Sequence, residues 1–379
     1  MTRHIGHLAL IAIMLGVSVG AAGAEQCLYL AAGGKITVYR IDEASGKLSP
    51  HQEIELPGAG PLGVSPDKRH LYAVAALPKP GKRRGQPAIA TYSLGTDGRL
   101  EHVHTAEANL RAGYLMTDAT GRFLAGSHYG PGKATIWRLA DGVYRGELVQ
   151  ELPFEKCAHS SIFSPDNRWL LVPATGPNKV FIDRFDAQSG KAVPNDPPFA
   201  EGPPDADAAR CPRHLIFHPT RPFAYTSNER ELPGVGAWKW DTDRGTLTRL
   251  QNIVTLPDGF TGRIATADLH LTPDARFLYV SNRDVTDRKA RTGRDSIVGF
   301  SVDAATGRLA LIGRFPCEHV PRSFVLDETG RFLYVAGQSD DRLGLYGINP
   351  TTGHLTKLTQ YETGPRPIWV HCMSPPGGN

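Results

Sequence analysis

Short apolar runs, each introduced by a turn-forming cluster, recur along the chain. SPDKRHLYAV (65–74), DATGRFLAGS (118–127), SPDNRWLLVP (164–173), HPTRPFAYTS (218–227), TPDARFLYVS (272–281) and DETGRFLYVA (327–336) superpose as one turn followed by one strand. The first strand residues, His70, Phe123, Trp169, Phe223, Phe277 and Phe332, stand 53, 46, 54, 54 and 55 positions apart. Runs rich in Val, Tyr and Phe, bounded by Pro, Asp and Gly, predict β-strands. A seventh copy, CLYLAAGG, begins at Cys27, but the strand that should precede it is missing there. That strand appears at the other end of the chain, in PRPIWVHCM (365–373).

A second motif gives the same count. D-x-x-x-G-x-L turns occur as DEASGKL, DTDRGTL and DAATGRL, with NPTTGHL close to them and TDGRL, YRGELV and DAQSGKAV as looser versions. Each lies between strand-like runs, as a Gly-bearing hairpin turn should. Units of roughly 50 residues with four strands each predict an all-β protein, a seven-bladed β-propeller whose first blade is closed by the N- and C-terminal strands. Even spacing and split closure set this architecture ahead of a solenoid or sandwich. Cys372 aligns with the end of an inner strand and Cys27 with the start of the next. A Cys27–Cys372 disulfide is therefore expected to replace the missing turn, with two buried thiols as the alternative.

In a propeller the innermost strands line a central channel. The hairpin 210–229 places Arg213 beside Glu229 at one edge of its sheet. Projecting Arg213 through the repeat gives Gly60, Gly113, His159, Arg213, Ala267, Arg322 and Arg366; projecting Glu229 gives Gly33, Ala76, Tyr129, Thr175, Glu229, Arg283 and Gln338. One arc of the mouth is small or neutral, and the other gathers an imidazole, a carboxylate and four arginines. Like charges at close range repel, so the cluster suits an anionic ligand, which Arg forks bind bidentately. The basic loops KPGKRRG (79–85) and DRKARTGR (287–294) both follow second strands and so emerge on the same face.

Composition alters this picture little. The 379 residues carry a formal charge of +4, which argues for no nucleic-acid partner. Residues 1–24 read as a secretory signal peptide: Arg3, an apolar stretch LALIAIMLGVSVG, then Ala22-Gly23-Ala24 before Glu25. The mature domain is expected at 25–379, periplasmic or secreted and without a membrane anchor. All five cysteines remain in it, and an odd count leaves at least one unpaired in a monomer. There is no C-x-x-C, and the Arg-rich edge is the wrong composition for a divalent cation, so neither metal nor cofactor is expected.

The segments CAHSSIFSPDNRWLLVPA, PRHLIFHPTRPFAYTSNE, ADLHLTPDARFLYVSNR and PRSFVLDETGRFLYVAGQ resemble the seven-bladed lactonase family. That family includes the bacterial propeller-type 6-phosphogluconolactonase and the fungal carboxy-muconate lactonizing enzyme. The resemblance implies catalytic roles for His159 in AHS, Arg213 in PRH, Glu229 in SNE and Arg283 in SNR, positions the repeat projection reaches separately. The expected activity is hydrolysis of a sugar lactone, with His159 as general base and Arg213 and Arg283 on the oxyanion. Arg322, Arg366 and Gln338 are the expected substrate-binding residues. Export favours an unphosphorylated aldonolactone over a cytoplasmic sugar phosphate. Cys157 and Cys211, at equivalent positions in adjacent units, could pair near the site. The alternatives are a non-catalytic periplasmic propeller that binds an anion and a muconate-type lactonizing cycloisomerase.

Overall fold

A computed structural model describes residues 25–377 apart from 82–84, 206–207, 288 and 291. The segment read as a signal peptide and parts of both basic loops therefore lie outside the described residues. Among those described, 28 strands form seven antiparallel four-stranded sheets and no helix occurs. The inner strands, blades 1 to 7, are Trp369–Met373, Leu62–Val64, Tyr114–Thr117, Ile162–Phe163, Ala209–Phe217, Ile264–Leu271 and Pro321–Leu326. Blade 1 pairs Trp369–Met373 with Cys27–Ala32, which closes the ring as the split repeat requires.

Second strands such as Cys27–Ala32, Phe123–His128 and Phe332–Gly337 are buried along their whole length. Both of their faces pack against neighbouring blades, so their sequences are continuous apolar runs. Outer strands such as Leu355–Glu362 present polar residues to water. The core is accordingly divided into seven apolar clusters, one between each pair of adjacent blades.

The two sequence motifs meet across these interfaces. The aromatic residue that opens a second strand packs on the turn glycine of the following blade: a Cβ at Gly307 would lie 2.5 Å from Phe223, and one at Gly46 would lie 2.6 Å from Phe332. Gly307 also has φ 69°, a conformation glycine adopts without cost. The tyrosine two residues on donates to the carbonyl of that same glycine. Tyr225 reaches Gly307 at 3.1 Å, Tyr279 reaches Gly353 at 2.7 Å and Tyr334 reaches Gly46 at 2.7 Å. In blade 3 the tight turn is Asp141-Gly142, and YRGELV instead lies within the outer strand Val143–Pro153.

The expected Cys27–Cys372 disulfide is not formed; all five cysteines are free, Cys157 and Cys211 included. Cys27 lies opposite Met373, and Cys372 lies opposite Leu28. Alternation along a strand sends the two thiols to opposite faces, Cys27 into the cluster with blade 2 and Cys372 into the cluster with blade 7. Cys27 instead does what the aromatic does elsewhere and packs beneath Gly98.

Candidate functional site

The inner strands bulge where the projected residues stand. In blade 5 the register jumps from Pro212–Asn228 to His214–Ser227, leaving Arg213 as the extra residue; in blade 7 Arg322 is extra between Pro321 and Ser323. Such bulges re-aim a side chain. Two residues upstream the backbone is left-handed in five blades: Gly58, Cys157, Cys211, Val320 and Arg366 have φ between 55° and 71°. For Val320 this is a strained conformation that the surrounding fold must impose.

Serine hydroxyls stitch neighbouring blades together at this level. Ser127 donates to the His159 carbonyl at 2.7 Å, and Ser160 donates to the Arg213 carbonyl at 3.1 Å. The His159 amide donates to Pro173 O at 2.9 Å. The backbones of the imidazole and the guanidinium are thus tied to one another across blades 3, 4 and 5.

Arg213, Glu229 and Arg283 form a buried ion cluster. Glu229 Oε1 lies 2.5 Å from Arg283 Nη2 and 3.6 Å from Arg213 Nε. Arg283 is further tied to Thr266 O at 2.9 Å and Ala265 O at 3.3 Å. Arg213 has no solvent exposure at all, and its Nη1 donates to His214 Nε2 at 2.9 Å. The ring of His159 stands 5.2 Å from that of His214 and 5.3 Å from Tyr129. Several buried polar atoms here lack a hydrogen-bond partner: His159 Nδ1, Arg213 Nε and Nη2, Glu229 Oε2 and Thr175 Oγ1. Orphaned groups of this kind are costly in a folded protein unless a ligand or water completes them.

Burial, then the charges of Arg213, Arg322 and Arg283, hold His159 well below its ordinary value of 6.5, so its imidazole is neutral at pH 7. Burial raises Glu229, but Arg213 and Arg283 outweigh it and the carboxyl ends below its ordinary value. Burial and the neighbouring guanidiniums lower Arg213 too, yet a guanidinium stays charged in the neutral range.

The remaining expected residues divide. Arg322 is half-buried, and its charge acts on His159, Arg213 and Glu229. Arg366 does not hold the Arg213 position. In blade 1 Trp369 pairs with Ala31 as His214 pairs with Ser227 in blade 5, so the slot next to it belongs to Ile368. The Pro-Arg dipeptide shared by 212–213 and 365–366 draws the alignment off by two residues, and the same slip misplaced Cys372. Arg366 is exposed at the rim, with its amide on Asp341 Oδ1 at 2.7 Å. Gln338 stands in the turn after its strand, and among the described residues no hydrogen bond or ion pair joins its side chain to the cluster.

A cavity of about 910 Å³ opens over the small arc and is lined by Gly58, Ala76, Lys79, Arg111 and Arg366 among others. It does not include His159 or Arg213. Arg111 was not expected from the repeat. Its guanidinium lies along Gly58 and Gly60 and donates to Gly58 O at 2.7 Å. His214 and Asp268 were also missed, although advancing the projection by one residue gives Pro61, Tyr114, Ser160, His214, Asp268, Ser323 and, with the corrected register, Trp369. That row forms the next layer down the channel, beside a cavity of about 270 Å³.

The sequence model described as "Lactonase, 7-bladed beta-propeller" matches residues 20–372. The chain is similar to a 6-phosphogluconolactonase of Cronobacter sakazakii, 34% identical over 349 residues, covering 91% of this chain and 98% of that one. It is similar to another of that name from Pectobacterium carotovorum, 31% identical over 354 residues, covering 92% and 99%. Among solved structures, the periplasmic gluconolactonase of Pseudomonas aeruginosa superposes with a TM-score of 0.82 at 28% identity, over 93% of this chain and all of that one.

Proposed function

The chain belongs to the seven-bladed β-propeller lactonase family, and from that premise we propose that it hydrolyses a sugar lactone at the His159–Arg213–Glu229 cluster. What supports the reading most is the set of buried, unpartnered polar atoms on His159, Arg213 and Glu229. A lactone is a cyclic ester, so its hydrolysis needs a water stripped of a proton and a partner for the carbonyl oxygen as it becomes an oxyanion. Neutral His159 takes the proton at Nδ1. Arg213 offers two nitrogens that make no hydrogen bond, Nε and Nη2, to the oxyanion and afterwards to the product carboxylate. Arg283 spends its guanidinium on Glu229 and two carbonyls, so its role is to fix Glu229 beside Arg213 rather than to hold substrate. The charge of Arg322 adds to the field that draws in an anion.

The N-terminal pattern and the likeness to a periplasmic gluconolactonase favour an exported enzyme acting on an unphosphorylated aldonolactone. The exposed Lys79, Arg111 and Arg366 around the large cavity favour a substrate with a second anionic group. One screen separates these: turnover of gluconolactone, 6-phosphogluconolactone and muconolactone by protein beginning at Glu25. Gluconolactone turned over at least as well as its phosphate ester is the expected result. Preference for the ester would assign the rim cations to phosphate, turnover of muconolactone alone would favour the cycloisomerase, and no turnover at all would favour the binding protein.

A further inference from the structure

The titratable groups of the second channel layer have no part in the chemistry above, yet His214 touches Arg213 directly. His214 is buried, and its two ring nitrogens have unlike partners. Nε2 faces Arg213 Nη1 at 2.9 Å, and Nδ1 faces Asp268 Oδ1 at 3.0 Å. A guanidinium can only donate and a carboxylate only accept. His214 must therefore be neutral, protonated on Nδ1 and bare on Nε2. Asp268 is itself held by the amides of Leu269 at 3.2 Å and Phe324 at 3.4 Å, and its Oδ2 lies 3.5 Å from His270 Nε2. Tyr114 meets the His214 ring edge-on at 5.2 Å, and Trp369 lies at 6.3 Å. Asp268, Tyr114 and Trp369 thus hold the imidazole from three other blades, while Arg213 meets it from its own.

We propose that His214 and Asp268 are a positioning pair that fixes the guanidinium of Arg213, leaving its Nε and Nη2 aimed at the ligand. The proposal rests on reading Arg213 as the oxyanion and carboxylate ligand of a lactonase. The carboxylate selects the tautomer, the tautomer supplies the acceptor, and the acceptor takes up Nη1. Without an acceptor at Nε2, Arg213 would swing to satisfy that donor elsewhere, and the Glu229 carboxylate, already 3.6 Å from Nε, would compete for it. Burial and Arg213 hold His214 down at about 4, so the pair keeps this form across the neutral range.

Glutamine can present an acceptor oxygen where Nε2 stands, and phenylalanine fills the space without one. His214→Phe is expected to lower kcat/KM for gluconolactone about 10²-fold, the scale of losing one aligned oxyanion donor, and His214→Gln to stay within about tenfold of the parent. Asp268→Asn should resemble His214→Phe, because its amide no longer enforces the tautomer. In an Arg213→Ala background His214→Phe should add nothing further. Equal losses in the Phe and Gln variants, or a loss fully additive with Arg213→Ala, would overturn the proposal. Nitrogen-15 NMR of His214 in the unmutated protein gives a readout that needs neither turnover nor a folded variant. A bare Nε2 and protonated Nδ1 are expected, and a protonated Nε2 overturns the pair. If the parent turns over no lactone the lactonase reading fails, while the NMR result still decides the tautomer.

Discussion

Replacing Glu229 by Gln tests whether the cluster is an anion site held ready by one carboxylate. Glu229 is 8% exposed and is the carboxylate in contact with both Arg213 and Arg283. Removing one partner of a buried ion pair costs about 3–5 kcal/mol. An unfolding entropy of about 2.1 cal/mol/K per residue over ~350 residues is roughly 0.7 kcal/mol per degree, which converts that loss into a fall in Tm of roughly 4–7 °C. The sign with pH follows from the carboxyl's lowered pKa: its contribution is complete above the unfolded value near 4.5 and disappears as pH falls through the lower folded value. The gap between parent and variant should therefore close in acid. An added anion should reoccupy the vacated charge. Sodium gluconate at 100 times its Kd would return about 2.7 kcal/mol, or about 4 °C. The parent, already neutralised in part, should gain less. Calorimetric melts at pH 7, with sodium chloride matching the ionic strength, supply the comparison. A variant that melts within a degree of the parent, and gains no more from gluconate than the parent does, would show that Glu229 does not hold an anion site in place.

Other expectations follow from the same geometry. The acid limb of kcat/KM against pH should fall below 6.5, since burial and guanidiniums keep His159 unprotonated into acid; a limb above 6.5 would remove His159 from the rate law. Arg213→Lys should cost about 10²-fold in kcat, because an ammonium cannot bond His214 and still offer a planar fork to the oxyanion; retained turnover in steady-state assays would contradict that role. Thiol titration of the unfolded, unreduced chain should find Cys27 and Cys372 free, and dithiothreitol should leave Tm unchanged, because the two face opposite sides of the sheet. Gly307→Ala should destabilise by about 1–3 kcal/mol in denaturant titrations, since the added methyl meets Phe223 at 2.5 Å in a left-handed turn.

Blade number, strand count and split closure were legible because every blade but the first, where Cys27 stands in, repeats one aromatic that packs on a turn glycine where blades meet. Phe223 on Gly307 and Phe332 on Gly46 are the contacts that write the period into the sequence. His159, Arg213, Glu229 and Arg283 were legible for a related reason, since equivalent positions in a ring converge on one mouth. The blade 1 register was not. No covalent turn links Met373 to Cys27, so nothing local fixes the offset, and a chance Pro-Arg pair decided it wrongly for Arg366 and Cys372. His214 and Asp268 escaped because their partnership crosses from blade 5 to blade 6 and depends on bulges at both strands. Bulges shift which side chain faces the channel, so a projection of one position left out the row beside it.

The proposed lactonase depends above all on the uncharged, buried imidazole of His159 activating water. The most direct measurement is kcat/KM for gluconolactone in His159→Ala, with gluconate binding followed in parallel by calorimetry. A loss of about 10²–10⁴ with gluconate still bound is the predicted result. Turnover equal to the parent's would contradict the account.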